Sequence, residues 1–221
     1  DDKPITRMQD QISIYYENEL WFILFNQAIK AYENDASDPE IIRLLELSMY
    51  IDPSNVKSYI LLATTYDSNK KIDESKNIVN RALDISGIKG GDKANLCGIM
   101  AELYKQEENY SEAISSYQKA YNFYEELDDD EGMMSAMVAI LSLNLLLEDW
   151  MKSIQWAEKI YEDFYLINED NEMDILFNIS LAYNNAASSF YNTAGNVFNS
   201  DNPKRSELQE SMNNYNIAYE Y

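Results

Sequence analysis

The side chains in this sequence that could do chemistry are almost all carboxylates. The chain has 39 Asp and Glu against 17 Lys and Arg, no His, and one Cys, Cys97. Without histidine there is no imidazole to serve as a general base, to complete a catalytic triad of the usual kind or to ligate a metal. A single cysteine cannot build a zinc cluster or an intrachain disulfide. The sequence therefore predicts a non-enzymatic protein without a metal or another cofactor.

Three segments come nearest to a ligand motif. The acidic runs 128–131 and 168–174 could attract a cation, but Gly132 is the fifth residue from Asp128, whereas a calcium loop of the EF-hand type needs its glycine at the sixth. The segment 87–93 is interpreted as a loop with Gly87 as the C-cap of the preceding helix. It lacks the spacing of a phosphate-binding loop. We interpret the carboxylates as a solvated surface.

The net charge of −22 bears on the partners that the chain can bind. Such a charge repels nucleic acids and anionic lipids, so nucleic acid is excluded as an expected ligand. Two interpretations stay open for the acidic surface: it attracts a basic segment of another protein, or it only keeps the chain in solution. The most apolar runs, 20–25 and 136–147, are shorter than the ~20 residues that a membrane span needs. We expect a soluble chain, either cytoplasmic or an exported mature form, since Asp1 follows no signal-like segment.

The elements that must position any binding residues are helices, because six Gly and four Pro leave little material for the turns of a many-stranded sheet. The clearest segment is 94–127, which contains two apolar faces at helical spacing separated by a predicted turn at 108–111. The first face carries Cys97, Met100, Ala101 and Tyr104, and the second carries Ala113, Tyr117 and Ala120. We expect Cys97 to be buried as a small apolar side chain.

This pattern of aromatic, small and Tyr positions resembles the tetratricopeptide repeat (TPR), a helix-turn-helix unit of about 34 residues. The resemblance implies an all-α superhelix (a TPR solenoid) in a single array of about five repeats. The expected repeats are 22–55, 56–89, 94–127, 134–167 and 173–221, after an N-terminal helical extension over 1–21. The spacing lengthens along the chain, the Tyr position is Asn144 in the fourth repeat, and segment 126–132 is an acidic linker with glycine. These features are similar to the long-period repeats of kinesin light chains, Leu-Gly-Asn-repeat adaptors and bacterial peptide-sensing regulators.

The last repeat departs from the pattern, because its second-helix positions arrive only at Ser211, Tyr215 and Ala218. Apolar residues keep the helical period past the usual turn, so we expect one elongated helix that ends near Asn199. Its apolar stripe must be covered by the chain itself, by a second copy in a dimer, or by a partner.

In TPR proteins the first helices of the repeats line a concave groove that binds peptides. Mapping those places here predicts a groove that includes Asn26, Lys30, Lys57, Thr64, Asn95, Gly98, Ser142, Phe177, Asn178 and Asn185. Asn178 lies in a segment that resembles the Asn-Leu-Gly-x-x-Tyr helix, whose Asn hydrogen-bonds a peptide backbone; solvated asparagines are the alternative. Gly98 costs a helix roughly 1 kcal/mol relative to Ala, so it needs a reason. Two reasons stay open: close packing against another helix, or close approach of a ligand.

Three functions are consistent with this sequence. The first is a scaffold or adaptor that binds a peptide segment of another protein in the groove. The second is a sensory or regulatory domain that responds to a short peptide or small ligand. The third is a structural subunit of a multiprotein assembly.

Overall fold

A computed structural model describes residues 19–34, 38–164 and 172–198, together with positions 204, 206, 207, 209 and 213. The predicted N-terminal extension up to residue 18, and Ser211, Tyr215 and Ala218 of the predicted last helix, lie outside the described residues. Throughout the described part the chain is helical and forms no strand, so the predicted all-α fold is confirmed.

The helices of the described residues alternate with short turns. Their bounds are α1 (19–33), α2 (Asp38–Ile51), α3 (Val56–Ser68), α4 (Ile72–Leu83), α5 (Gly90–Gln106), α6 (Tyr110–Glu125), α7 (Asp130–Leu146), α8 (Trp150–Phe164) and α9 (Glu172–Phe198).

The chain divides into two compact units, Asp1–Asp128 and Asp129–Tyr221. In the first unit, α3 packs against α4, α5 packs against α6, and α3 also contacts α5 directly. In the second unit, α8 packs against both α7 and α9. Each helix therefore buries its apolar stripe against its neighbours in sequence, as expected for a repeat protein. The fully buried side chains of the first unit include Ala28, Leu45, Leu62, Val79, Leu96 and Leu103, and those of the second include Met137, Ile140 and Ile154.

Three helix hairpins use the same turn. One residue in each turn is left-handed, with φ of 59° at Lys70, 59° at Glu108 and 57° at Glu148. The N–H of the following residue then donates back to a carbonyl in the last turn of the first helix, at 2.9 Å in each case: Lys71 to Tyr66, Asn109 to Tyr104 and Asp149 to Asn144. This backbone bond satisfies a carbonyl that the helix end leaves without a partner.

Asn144 stands where the other two hairpins have Tyr66 and Tyr104, and it shows that the turn requires only the backbone carbonyl at this position. Its carbonyl accepts the closing bond just as those of Tyr66 and Tyr104 do. Its side chain is 1% exposed, and its Nδ2 donates to the carbonyl of Ile140 at 2.8 Å. A buried amide thus replaces the phenol without loss of the turn, because the turn depends on the backbone.

Several helix boundaries differ from the sequence predictions. The predicted loop 87–93 is a loop only up to Lys89, and Gly90 begins α5; likewise α6 begins at Tyr110 and α7 at Asp130. The N–H groups of a first helical turn have no intrahelical acceptors, so this turn tolerates Gly and Asp, which are also common in loops. Gly87 has φ of +73° but is not a helix cap, since α4 ends at Leu83 with Asp84 as its C-cap.

Contacts at the start of α5 and in the acidic linker fix where these helices begin. A Cβ on Gly90 would be in ordinary van der Waals contact with the side chain of Leu127, at 3.4 Å, so the start of α5 lies against that residue. Asp129 caps α7 by accepting the N–H of Gly132 at 3.0 Å. The linker is therefore shorter than predicted, and its last three residues, 130–132, belong to α7.

The elongated last helix is confirmed, since α9 runs over 27 residues to Phe198. Ala194 on this helix is fully buried, while Leu181 and Tyr191 are exposed. Among the helices of the described residues, none combines the length and the apolar character needed to cross a membrane.

The left-handed turns predict an asymmetric response to glycine. Lys70→Gly should raise the free energy of unfolding by about 0.5–1 kcal/mol, because glycine adopts positive φ without the Cβ clash that costs other residues about 1–2 kcal/mol. Lys71→Gly is the matched control, since Lys71 is also exposed and loses the same charge but has φ of −91°. It should lower stability. Urea unfolding followed by circular dichroism measures both, and equal effects would contradict the role of the turn.

Candidate functional site

Helices α3 and α5 of the first unit are joined by a hydrogen bond between two polar side chains near their C-terminal ends. Gln106 on α5 donates from Nε2 to Oδ1 of Asp67 on α3 at 2.7 Å. Because α3 and α5 also contact each other directly, this bond identifies the stripes of the two helices that lie side by side.

Helical spacing extends each stripe away from that bond. Residues three or four apart share a face of a helix, so Thr64, Ile60 and Lys57 follow Asp67 along α3, and Glu102, Gly98 and Asn95 follow Gln106 along α5. We call these eight residues the α3/α5 face. Four of the predicted groove residues, Lys57, Thr64, Asn95 and Gly98, are therefore brought together on one surface.

Gly98 is the feature of this face that the chain's own packing does not explain. It lies in the middle of α5, and a Cβ built on it would meet no atom of the described residues within 4 Å, its chain neighbours and the backbone of α5 itself set aside. Close packing against another helix is therefore not the reason for this glycine, and that interpretation was wrong. The backbone of α5 at Gly98 instead borders open space.

Some of the polar groups beside Gly98 already form hydrogen bonds within the protein. Asn95 is exposed, and its Oδ1 accepts the hydroxyl of Tyr124 at 3.2 Å, which turns its Nδ2 donors away from Tyr124. Thr64 donates its hydroxyl to the carbonyl of Ile60 at 2.9 Å and keeps acceptor capacity. Lys57 is exposed at the start of α3 and takes part in none of the ion pairs of the described residues. The face thus offers an amide donor, a hydroxyl acceptor and an ammonium group.

Glu102 is bonded to residues of its own α5–α6 hairpin. Its carboxylate accepts the hydroxyl of Tyr117 on α6 and pairs with Lys105 at 2.7 Å. Burial alone raises the pKa of Glu102, but the hydrogen bonds donated by Lys105 and Tyr117, with the charge of Lys105, outweigh it and lower the pKa. Glu102 therefore stays ionised and bonded, and it positions Tyr117 across the α5–α6 pair.

A cleft of about 260 Å³ opens at the N-terminal ends of α3 and α5, where the face ends at Lys57. Its lining carries charges of both signs, from Asp52, Lys57, Lys89 and Asp92. Among the described residues, no group of three or more His, Cys, Asp or Glu side chains is placed to hold a metal ion.

The remaining predicted groove residues lie on other helices. Asn26 is half-buried and Lys30 exposed on α1, which is tied to α3 by the 3.1 Å bond from the Trp21 indole to Ser58 Oγ. Ser142 is exposed on α7, where its hydroxyl donates to the carbonyl of Val138. Asn185 is half-buried on α9. Phe177 and Asn178 also belong to α9, where the structure describes their backbone and not their side chains.

Asp67 belongs to the α3/α5 face although the sequence analysis did not single it out. The available signal was its position three residues after Thr64, which places it on the same side of α3. What the sequence could not show is that Gln106, on a different helix, would be its partner.

No protein-family model and no curated protein matches the sequence. Solved structures do match. The chain is similar to MamA, with 15% identity over 92% of each chain and a TM-score of 0.57. It is also similar to a putative kinesin light chain of Podosopora anserina with nearly identical TPR-like repeats, with 12% identity, 89% of this chain and 93% of that one covered, and a TM-score of 0.60.

A third similar structure is YrrB, described as a TPR protein with an unusual peptide-binding site. It shares 12% identity over 89% of each chain, with a TM-score of 0.53. These likenesses extend over nearly the whole chain and establish its fold.

The bond between Tyr117 and Glu102 predicts a dependence on alkaline pH. Burial, the hydrogen bond to Glu102 and the charge of Glu102 all raise the pKa of Tyr117. The native state keeps this phenol protonated where the unfolded chain ionises it, so its contribution is complete below about pH 10 and is lost as the pH rises above that value.

Raising the pH from about 8 to about 11 should lower the free energy of unfolding of the wild type by roughly 1 kcal/mol more than that of Tyr117→Phe. Urea unfolding at the two pH values measures this difference. Tyr50→Phe is the matched control, because Tyr50 is 84% exposed. It should leave the pH dependence unchanged. An identical pH profile for wild type and Tyr117→Phe would contradict the assignment.

Proposed function

We propose that this chain, which has the fold of tetratricopeptide repeat proteins, is a non-catalytic interaction module that binds a peptide segment of another protein along the α3/α5 face. The observation that carries the proposal is the open backbone at Gly98. A glycine inside a helix lowers helix stability, and among the described residues no close neighbour of a Cβ at position 98 gives a packing reason for it. A ligand whose main chain approaches α5 closely would require a residue without a Cβ at this position.

The neighbouring side chains suit an extended peptide. The amide of Asn95 can donate to a peptide carbonyl, and the hydroxyl oxygen of Thr64 can accept a peptide N–H. Ile60, which is half-buried, supplies apolar contact between them. Main-chain recognition of this kind gives affinity with little dependence on the peptide's sequence.

Charge favours a basic peptide segment. The chain carries a net charge of −22, which attracts cations over a long range and raises the rate of encounter. Within the face, the carboxylate of Asp67 already accepts from Gln106 and that of Glu102 is paired with Lys105, so the attraction comes from the charge of the whole chain. Lys57 provides one positive group at the end beside the cleft. We therefore expect the bound segment to be basic along most of its length, with an acidic or C-terminal carboxylate near Lys57.

The similarity to YrrB supports this proposal by analogy. That protein has the same fold and is described as having a peptide-binding site. Because one fold can carry many functions, the argument for this chain rests on Gly98 and its surroundings, and the analogy is secondary.

Two substitutions of Gly98 are predicted to have opposite effects, one on stability and the other on binding. Gly98→Ala should raise the free energy of unfolding by about 0.5–1 kcal/mol, since the added Cβ meets nothing and alanine favours the helix. Gly98→Leu should weaken peptide binding at least about tenfold, equivalent to ~1.4 kcal/mol, by filling the space above α5. Peptides selected by the wild type from a displayed random library serve as ligands.

Ser115→Leu is the matched control for this experiment. Ser115 is exposed on α6 of the same hairpin, so the substitution adds the same side chain away from the face. It should leave peptide affinity unchanged. If Gly98→Leu binds the selected peptides as well as the wild type does, the face is not the site. If high salt alone abolishes binding in the wild type, the acidic surface and not the face is responsible.

In the second unit, the proposal extends to Ser142, Phe177, Asn178 and Asn185 as candidates for peptide contact. Asn178 and Asn185 are seven residues apart on α9, which places them two turns apart on one side of the helix. Asn178→Ala should weaken binding of the selected peptides and leave the melting curve unchanged. Unchanged affinity would remove α9 from the candidates for peptide contact.

A further inference from the structure

The turn between α7 and α8 exposes three large apolar side chains to solvent. Leu146 is 59% exposed, Leu147 is 44% exposed and Met151 is 41% exposed. Leu146 ends α7, Leu147 follows it in the turn, and Met151 is in the first turn of α8. We call these three residues the α7–α8 tip. It belongs to the second unit and is separate from the α3/α5 face.

The chain itself provides the reference for judging this tip. The turns α3–α4 and α5–α6 have the same backbone, with a left-handed residue and a closing bond at the same places. Their residues at the three tip positions are all polar: Ser68, Asn69 and Asp73 in one turn, and Gln106, Glu107 and Ser111 in the other. The backbone conformation therefore does not require apolar residues at these positions.

Packing does not require them either. The position that packs inward at the start of each second helix is apolar in all three hairpins, as Ile72, Tyr110 and Trp150, and is half-buried in each. Leu146, Leu147 and Met151 lie outside that contact and expose much of their surface. Exposed apolar side chains that are grouped together, where equivalent positions are polar, mark an interaction surface.

The charges beside the tip indicate what covers it. Glu148 and Asp149 lie between Leu147 and Met151, and Lys152 pairs with Asp149 at 2.6 Å. None of the ion pairs of the described residues includes Glu148. The tip is therefore an apolar group with an acidic centre, on a chain of net charge −22.

A second copy of the chain fits this surface poorly. A symmetric contact would place the acidic tip against itself, and two chains of the same high charge repel each other. A complementary partner brings apolar side chains together with positive charge.

We propose that the α7–α8 tip is a docking site for a basic amphipathic helix of another protein. Apolar side chains of that helix cover Leu146, Leu147 and Met151, and its Lys or Arg side chains meet Glu148 and Asp149. This contact is independent of the α3/α5 face, so the chain presents two different surfaces to protein partners.

The test uses the full chain and a synthetic amphipathic helical peptide of Leu and Lys that carries a spin label. Amide signals in an NMR spectrum should broaden most strongly over residues 145–152. The matched variant replaces the tip with the residues of the α5–α6 turn, as Leu146→Gln, Leu147→Glu and Met151→Ser. It should keep the melting curve of the wild type, and the peptide should bind it at least about tenfold more weakly.

Leu47→Gln with Tyr50→Gln is the control, since these exposed apolar side chains lie on α2 in the other unit. It should bind the peptide as the wild type does. If the triple variant does not fold, Leu146→Gln alone replaces it, and the position of the broadening in the wild type remains decisive.

Three results would overturn the proposal. The first is broadening spread over the acidic surface without a maximum at the tip. The second is equal binding at the tip of a peptide made of Leu and Glu, which would remove the role of charge. The third is concentration-dependent self-association of the wild type that the triple variant abolishes, measured by analytical ultracentrifugation, which would identify a second copy as the occupant.

Discussion

The backbone hydrogen bond that closes each helix hairpin is the interaction on which the rest of this structure depends. It joins the residue after a left-handed position to a carbonyl in the last turn of the first helix, at 2.9 Å in three hairpins. The bond uses no side-chain atom, so Tyr66, Tyr104 and Asn144 serve equally well as acceptors. Once the turn is set, the second helix returns antiparallel to the first, and the small or apolar residues of both are buried between them.

A turn made by the backbone leaves the side chains around it free to differ. The three hairpins carry polar residues, charged residues or leucines at equivalent exposed positions without a change in backbone conformation. The same freedom holds on the inner helices, where α5 contains Gly98 at a position that the protein's own packing leaves open. Features that distinguish one hairpin from another are therefore better evidence of function than features that they share.

The acidic charge and the two surfaces act at different ranges. A net charge of −22 draws positively charged partners from a distance but selects weakly among them. In the two proposed interactions, short-range contacts would provide the selection: the exposed backbone at Gly98 with the amide of Asn95 on one surface, and the apolar side chains of the α7–α8 tip on the other. Partners of both surfaces would share a positive charge and differ in shape.

Helical periodicity and the scarcity of glycine and proline determined, from the sequence alone, an all-α chain, the order of its helices, the burial of Cys97 and the length of α9, because these features depend on spacing along one chain. The TPR fold came from the resemblance of the repeated pattern to that family. The sequence did not predict the helix starts at Gly90 and Asp130, because a first helical turn tolerates the residues that also form loops. Only the tertiary structure decided that Gln106 meets Asp67, that Gly98 borders open space and that Leu146 is exposed. Those outcomes depend on what another helix places, or does not place, beside a residue, and spacing within one helix carries no information about its neighbours.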